Sequence, residues 1–176
     1  VDTKPLEMVN EYYKKMLGKN PQALHYLHSR GVFESSIEKF ELGYAPSSSQ
    51  TLRYIDEHFI NKPEAIELGI LGRTEGRTYA RMSERVTFPI YSPNGKLVGF
   101  GGRTMVEHPA KYLNSPETKL FKKSQLLYGY HLAKESIYRH KEVIVTEGYM
   151  DVVMLHQAGF PYAIATLGTA LGESHA

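Results

Sequence analysis

Two carboxylates in the last third of the chain stand where phosphate chemistry would use them. Glu147 follows the apolar run Val143-Ile144-Val145-Thr146, which reads as a strand buried on both faces, and Gly148 then opens a helix. In open α/β sheets, ligands bind at this carboxyl edge. A carboxylate there suits Mg2+, a hard cation that takes one or two carboxylates and completes its shell with water and phosphate oxygens. Asp151 comes four residues later, so both acids can face one side of the helix. The same pair also suits simple stabilisation of a first helical turn by the macrodipole, and spacing alone leaves both readings open.

A second chemical signal lies upstream. Residues 73–123 hold ten Lys and Arg (Arg73, Arg77, Arg81, Arg85, Lys96, Arg103, Lys111, Lys119, Lys122, Lys123) against Glu75, Glu84, Glu107 and Glu117, a net of +6. The rest of the chain carries eleven against fifteen, or −4, so the overall charge of +2 hides a basic middle between acidic ends. That is the footprint of a phosphate-binding surface, although a solvated face has the same composition. Gly99, Gly101 and Gly102 crowd one apolar stretch, where glycines mark either a close approach by a ligand or a bulge. Thirteen tyrosines and no tryptophan supply stacking surfaces, but nothing singles out one of them. His25 and His28 are three apart with no third ligand indicated, and His131, His140 and His156 read as surface or core residues.

The elements that must position these groups fall into three styles. The first 70 residues read as helices: Pro5–Leu17 with a period near 3.6, a short helix capped by Asn20-Pro21 and ended by Gly31, Ser35–Phe40, Ser49–Phe59, and a last one from Lys62-Pro63 to Gly69. The middle changes to a period of two. Arg85–Tyr91 and Lys96–Arg103 form a hairpin across the turn Ser92-Pro93-Asn94-Gly95. Residues 108–125 form a long polar loop, and a helix follows over Leu126–Ile137. Then come the strand ending at Thr146, a helix Tyr149–Gln157 closed by Gly159, and a strand Tyr162–Thr166. Strand, helix, strand at this spacing is a βαβ unit and implies a parallel sheet.

Composition excludes several classes. At 41% hydrophobic and 23% charged, the 176 residues match a soluble globular domain. No apolar run reaches the roughly 18 residues of a membrane span, and Val1–Glu11 has no signal-peptide core. The absence of cysteine excludes a disulfide scaffold and a Cys-ligated zinc site, and points to the cytoplasm. The chain starts without Met and stops just past a motif that normally opens a helix, so it reads as a fragment whose half sheet leaves strand edges short of partners.

The motif Glu147-Gly148-Tyr149-Met150-Asp151-Val152-Val153 resembles the first acidic motif of the Toprim fold in bacterial DnaG-type primases. Five other blocks resemble polymerase-domain motifs of that family, in the family's order. They are Arg85-Val86-Thr87-Phe88-Pro89-Ile90, Gly99-Phe100-Gly101-Gly102-Arg103, Lys111-Tyr112-Leu113-Asn114-Ser115-Pro116-Glu117-Thr118, Leu127-Tyr128-Gly129 and Leu167-Gly168-Thr169. The resemblance covers nearly the whole chain, more loosely over the first 70 residues. It implies a mixed helical and β subdomain over 1–140 (helical 1–70, hairpin and basic loop 71–125), followed over 141–176 by the first half of a Toprim-like parallel α/β sheet.

The family makes short RNA primers on single-stranded DNA from ribonucleoside triphosphates. By resemblance, Glu147 is a catalytic ligand of Mg2+ or Mn2+ with Asp151 close behind. Arg30, Arg85, Arg103, Lys111 and Lys123 match basic positions that contact template or nucleotide. Asn114 and Ser115 lie in the same motif, and the resemblance implies that they can donate hydrogen bonds to phosphate or sugar. The resemblance further implies a nucleoid-associated cytoplasmic protein, an N-terminal module that binds zinc and a C-terminal module that meets the replicative helicase, neither of them in this chain.

Two departures qualify this. The Asp-x-Asp motif that completes the family's metal site would fall after Ala176, and Ser83 stands where the pattern around Arg81 and Arg85 has another arginine. Two other readings follow. One is a non-catalytic fragment that binds single-stranded nucleic acid. The other is a different Toprim enzyme, a topoisomerase or nuclease, against which the Tyr112–Thr118 block argues.

Overall fold

The computed structural model describes residues 1–168 and 172–175. Thr169, in the expected turn after the last strand, lies outside them. Five helices occupy most of the first 70 residues: α1 (Lys4–Gly18), α2 (Pro21–Ser29), α3 (Glu34–Lys39), α4 (Ser48–Glu57) and α5 (Lys62–Glu67). Three of their starts are marked by a capping side chain. Asn20, Ser47 and Asn61 each accept a hydrogen bond from a backbone N–H three residues on, at 3.0, 3.4 and 2.8 Å, satisfying amides that the first turn leaves open. The helical reading of this region misses one strand, β1 (Gly43–Ala45).

The hairpin β2 (Leu71–Thr74) and β3 (Arg77–Ala80) follows, then β4 (Arg85–Tyr91) and β5 (Leu97–Thr104). β6 (Tyr112–Asn114) lies inside what the sequence presents as an unbroken loop. The main sheet is antiparallel in the order β1-β4-β5-β6. Its register puts Val86, Arg103 and Tyr112 in one cross-strand row and Phe88, Gly101 and Asn114 in the next. Cross-strand partners share a face, so Arg103, Tyr112 and Asn114 project from the same side as Phe88.

β4 is buried on both faces. On one side, Phe100 meets Tyr13 of α1 edge-on at 5.2 Å. On the other, Phe88 stacks at 5.1 Å on Tyr149, which opens the helix α7 (Tyr149–Gln157). The glycines of β5 are explained by close packing on its two faces, Gly99 and Gly101 on this side and Gly102 on the other. A Cβ at Gly101 would overlap the Tyr149 ring, one at Gly99 the Phe121 ring, and one at Gly102 the Met82 sulfur. They make room for the protein's own side chains, and the register shift of the hairpin falls at Ile90/Tyr91 instead.

The expected βαβ unit is present. β7 (Ile144–Thr146) pairs in parallel with β8 (Ala163–Ala165), and α7 crosses between them. β8 also forms one antiparallel bridge to Tyr128, with bonds of 2.8 and 3.1 Å between the residue 128 and 165 backbones. Residues 126–128 are therefore extended. The helix expected from Leu126 begins later, as α6 (Tyr130–His140), after Gly129 at φ 80°. The expectation that the 143–146 run is buried on both faces is corrected: Val143 is 48% and Val145 42% exposed, because β7 has no second neighbouring strand among the described residues. α7 is latched to the helical region by Gln157, whose Nε2 donates to Gly31 O at 2.7 Å. Its Oε1 accepts from Phe33 N at 2.9 Å and from the Ser36 hydroxyl at 2.7 Å. A short 3-10 turn, Glu173–His175, closes the described chain. No helix among the described residues is long and apolar enough to cross a membrane.

Candidate nucleic-acid and metal site

The acidic turn sits where strand β7 gives way to helix α7. Thr146 fixes it: its hydroxyl lies 3.2 Å from Ile164 O and 3.3 Å from Gly148 O, tying the bend to β8. Glu147 and Asp151 are both exposed. The Asp151 carboxylate folds back over the start of α7, close enough that a Cβ on Gly148 would meet it at 3.1 Å, so it also occupies the position favoured by the helix dipole. Two open carboxylates at the carboxyl end of a strand fit the partial ligand set of a hydrated divalent ion. Among the described residues no third acidic or histidine side chain joins them.

Tyr149 connects this turn to the main sheet. Its ring fills the space over Gly101 and meets the Tyr112 ring at 5.9 Å, and burial pushes its phenol well above the usual pKa. Beside Tyr112 lies Arg103, which donates from Nε to the Tyr112 hydroxyl at 3.1 Å and from Nη1 to Thr104 O at 2.7 Å. Its guanidinium carbon stands 5.1 Å from the Tyr112 ring centroid and 5.5 Å from that of Tyr26 on α2. Arg30 approaches the same Tyr26 ring at 5.1 Å. The structure thus brings Arg30 and Arg103 to one ring, although they are 73 positions apart. Burial raises the Tyr26 phenol pKa, with Arg103 and Arg30 acting in the opposite direction.

Lys111 is exposed and adjoins Tyr112 in sequence. Among the described residues, neither Arg30, Arg103, Lys111 nor Lys123 is engaged in a salt bridge. Asn114 points across to the acidic half and donates from Nδ2 to Leu167 O, just past β8, at 3.3 Å, while its Oδ1 is shielded and has no partner among the described residues. Lys123 is half-buried. Its backbone N–H donates to Glu117 at 3.0 Å, and its carbonyl lies 3.3 Å from His175 Nε2, which joins its loop to the segment after β8.

Two expected surface contacts turn out to be interior. Arg85 is 5% exposed, and its guanidinium donates to Ala110 O at 2.7 Å, Lys111 O at 3.0 Å and Gly102 O at 3.4 Å. It fastens the strand-to-loop segment that carries Lys111. Ser115 is 2% exposed, and its hydroxyl accepts the Phe100 N–H at 2.9 Å. Both side chains are spent on backbone groups because Gly102 and Gly99 leave them room against β5. The sequence reading missed Tyr26, Tyr112 and Tyr149. Tyr26 was accessible to it, since it stands four residues before Arg30 and therefore on the same helical face.

Residues 12–134 match the family model "DNA primase catalytic core, N-terminal domain", and residues 141–176 match "Toprim domain". The chain belongs to the DNA primase catalytic-core family. It is 56% identical over 173 residues to a DNA primase of Helicobacter pylori strain J99, covering 97% of this chain and 30% of that protein. It is 45% identical over 172 residues to one of Campylobacter jejuni, covering 97% and 28%. The chain thus spans under a third of the length of the curated relatives it matches.

Among solved structures, it superposes on the RNA polymerase domain of Mycobacterium tuberculosis primase DnaG. The TM-score is 0.88 at 32% identity, over 96% of this chain and 57% of that one. A DnaG primase catalytic domain bound to ssDNA gives 0.86 at 38% identity, over 96% and 56%. The Aquifex aeolicus primase, with its zinc-binding and RNA polymerase domains, gives 0.87 at 39% identity, over 97% and 42%. The mixed α/β fold of the primase core, and the opening of a Toprim-type parallel sheet at β7–β8, follow directly.

Proposed function

We propose that this chain is the part of a DNA primase that holds single-stranded template and incoming ribonucleoside triphosphate during metal-dependent synthesis of RNA primers. The observation that carries this is one connected series of contacts. Arg30 and Arg103 meet on Tyr26, Tyr112 joins Arg103 to Tyr149, and Glu147 stands two residues before Tyr149. Nucleotidyl transfer asks little covalent chemistry of a protein. It asks for positioned phosphates and neutralised charge.

In this reading Arg30, Arg103, Lys111 and Lys123 take phosphates, the arginines as forks and the lysines as point charges. Asn114 orients the turn after β8 toward them, and Arg85 and Ser115 hold the strands that present them. Glu147, with Asp151, would hold Mg2+ or Mn2+, which when bound polarises a phosphoryl oxygen and neutralises developing charge. The intact protein would add the remaining acidic residues, a zinc-binding module and contact with a replicative helicase. The division near residue 140 would separate the N-terminal subdomain from the partial Toprim unit.

The test is primer synthesis by the intact protein with Glu147→Gln. Loss of synthesis with retained single-stranded DNA binding supports the assignment, and undiminished synthesis removes it. A second reading rests on the two exposed carboxylates lacking a third among the described residues. On its own, the chain would bind single-stranded nucleic acid without catalysis, weakening steeply with salt and indifferent to Mg2+.

A further inference from the structure

Four side chains from three elements alternate in a stack at the end of the main sheet. Arg30 caps the C-terminus of α2, Tyr26 lies one turn before it, Arg103 stands next to last in β5 and Tyr112 opens β6. Guanidinium and ring succeed one another: Arg30 to Tyr26 at 5.1 Å, Tyr26 to Arg103 at 5.5 Å, Arg103 to Tyr112 at 5.1 Å. Two cations this close repel each other, and each carries a long flexible stem. No carboxylate among the described residues offsets the repulsion by pairing with either. The aromatic quadrupole attracts both, and Tyr26 is the one ring they share. The Tyr26 hydroxyl is shielded and has no hydrogen-bond partner among the described residues. The ring is therefore the part of this residue that the structure uses.

The geometry points to Tyr26 as a positioning residue for polynucleotide binding: its ring presets Arg30 of the helical region and Arg103 of the sheet as one fixed pair of phosphate-binding cations. This deepens the function proposed above and rests on it. Tyr26 acts through the two arginines and touches no phosphate. Binding then costs less side-chain ordering, because both guanidiniums are already held where the backbone of the ligand passes. Since Arg30 and Arg103 belong to separate elements, α2 and β5, the shared ring also sets the spacing between the two charges.

The experiment is equilibrium binding of fluorescent oligothymidylate to the intact protein, across a range of salt, with urea unfolding of each variant in parallel. Tyr26→Phe keeps the ring and should bind within about twofold of the parent. Tyr26→Met keeps bulk and helix propensity without a π face, and should bind on the order of tenfold more weakly. Its log K against log salt slope should stay that of the parent, because no cation has been removed. The double variant Arg30→Gln/Arg103→Gln should flatten that slope by roughly 1.4, about 0.7 for each lost phosphate contact on a single strand. Adding Tyr26→Met to that double variant should change nothing further.

The proposal is overturned if Tyr26→Met binds like the parent, if Tyr26→Phe is as weak as Tyr26→Met, or if the loss from Tyr26→Met persists once both arginines are gone. The double variant separates this from the parent reading: oligothymidylate binding that ignores its loss of charge sinks the proposed function itself. Should Tyr26→Met fail to fold, the two single arginine variants decide. Losses that couple support a shared ring, and strictly additive losses refute it.

Discussion

The cationic and acidic halves of the candidate site are built by opposite means. Arg103, Tyr112 and Asn114 stand on strands whose register and face are set by a core packed on both sides. Their backbone is further clamped by the buried Arg85. Glu147 and Asp151 sit on an exposed bend at the edge of a two-stranded sheet, held chiefly by Thr146 and by the anchoring of Tyr149. A surface that receives phosphates gains from rigid, preset charge. A ligand set for a hydrated cation needs open carboxylates with room for other oxygens.

If that contrast is right, damage to the two halves should read out differently. The largest effect is expected on stability, from Arg85→Ala. It leaves one buried and two part-buried carbonyls without their charged donor and should cost about 3–5 kcal/mol in urea unfolding, with Lys111 losing its place. A cost below 1 kcal/mol would mean the clamp is not structural. Next comes Glu147→Gln, which should lower primer synthesis by on the order of a hundredfold, about 2.7 kcal/mol of barrier, while leaving the unfolding midpoint alone because the side chain is exposed. A shifted midpoint would blur the distinction drawn here.

Gly101→Ala couples the halves. Its methyl would press on the Tyr149 ring, costing about 1–3 kcal/mol by overpacking and displacing the start of α7, so activity and stability should fall together. The smallest effect is expected from pH. Burial, followed in size by the opposing hydrogen bond to Ala163 O, leaves His156 with a pKa below the ordinary 6.5. The folded state then binds fewer protons than the unfolded one. Its stabilising contribution is complete above 6.5 and is lost as pH falls through the lower folded value. His131, also depressed mainly by burial, acts in the same sense. Denaturation midpoints should therefore decline on acidification below neutrality, and less so in His156→Gln.

Much of this was legible in the residues, and the failures have identifiable causes. The cap at Asn20, the Arg85–Tyr91 strand and the α7 helix were readable because cap chemistry and apolar periodicity are local. β1 was not, since three residues show no period. Neither was the β2–β3 hairpin, whose Arg73, Thr74, Arg77 and Thr78 are too polar to signal a strand. The start of α6 was misplaced because Leu126 and Leu127 are apolar for a tertiary reason, the bridge that their neighbour Tyr128 makes to β8. At the site, charge and motif marked Arg103, Lys111 and Glu147. Burial, which no motif reveals, set Arg85 and Ser115 apart from them, and only the folded chain shows that Arg30 and Arg103 share Tyr26.

The bridge at Tyr128 bears on how the molecule is made. The main sheet is complete by Asn114, and Tyr128 then meets Phe88 edge-on at 6.2 Å, but Tyr149, Val152 and Val153, which finish the covering of this face, come later. During synthesis from the N-terminus, part of a greasy sheet face would thus wait, open to water, for some twenty further residues at roughly 5–20 per second. The ribosome would release the basic half first, and the acidic turn would come into being as the lid that dries it.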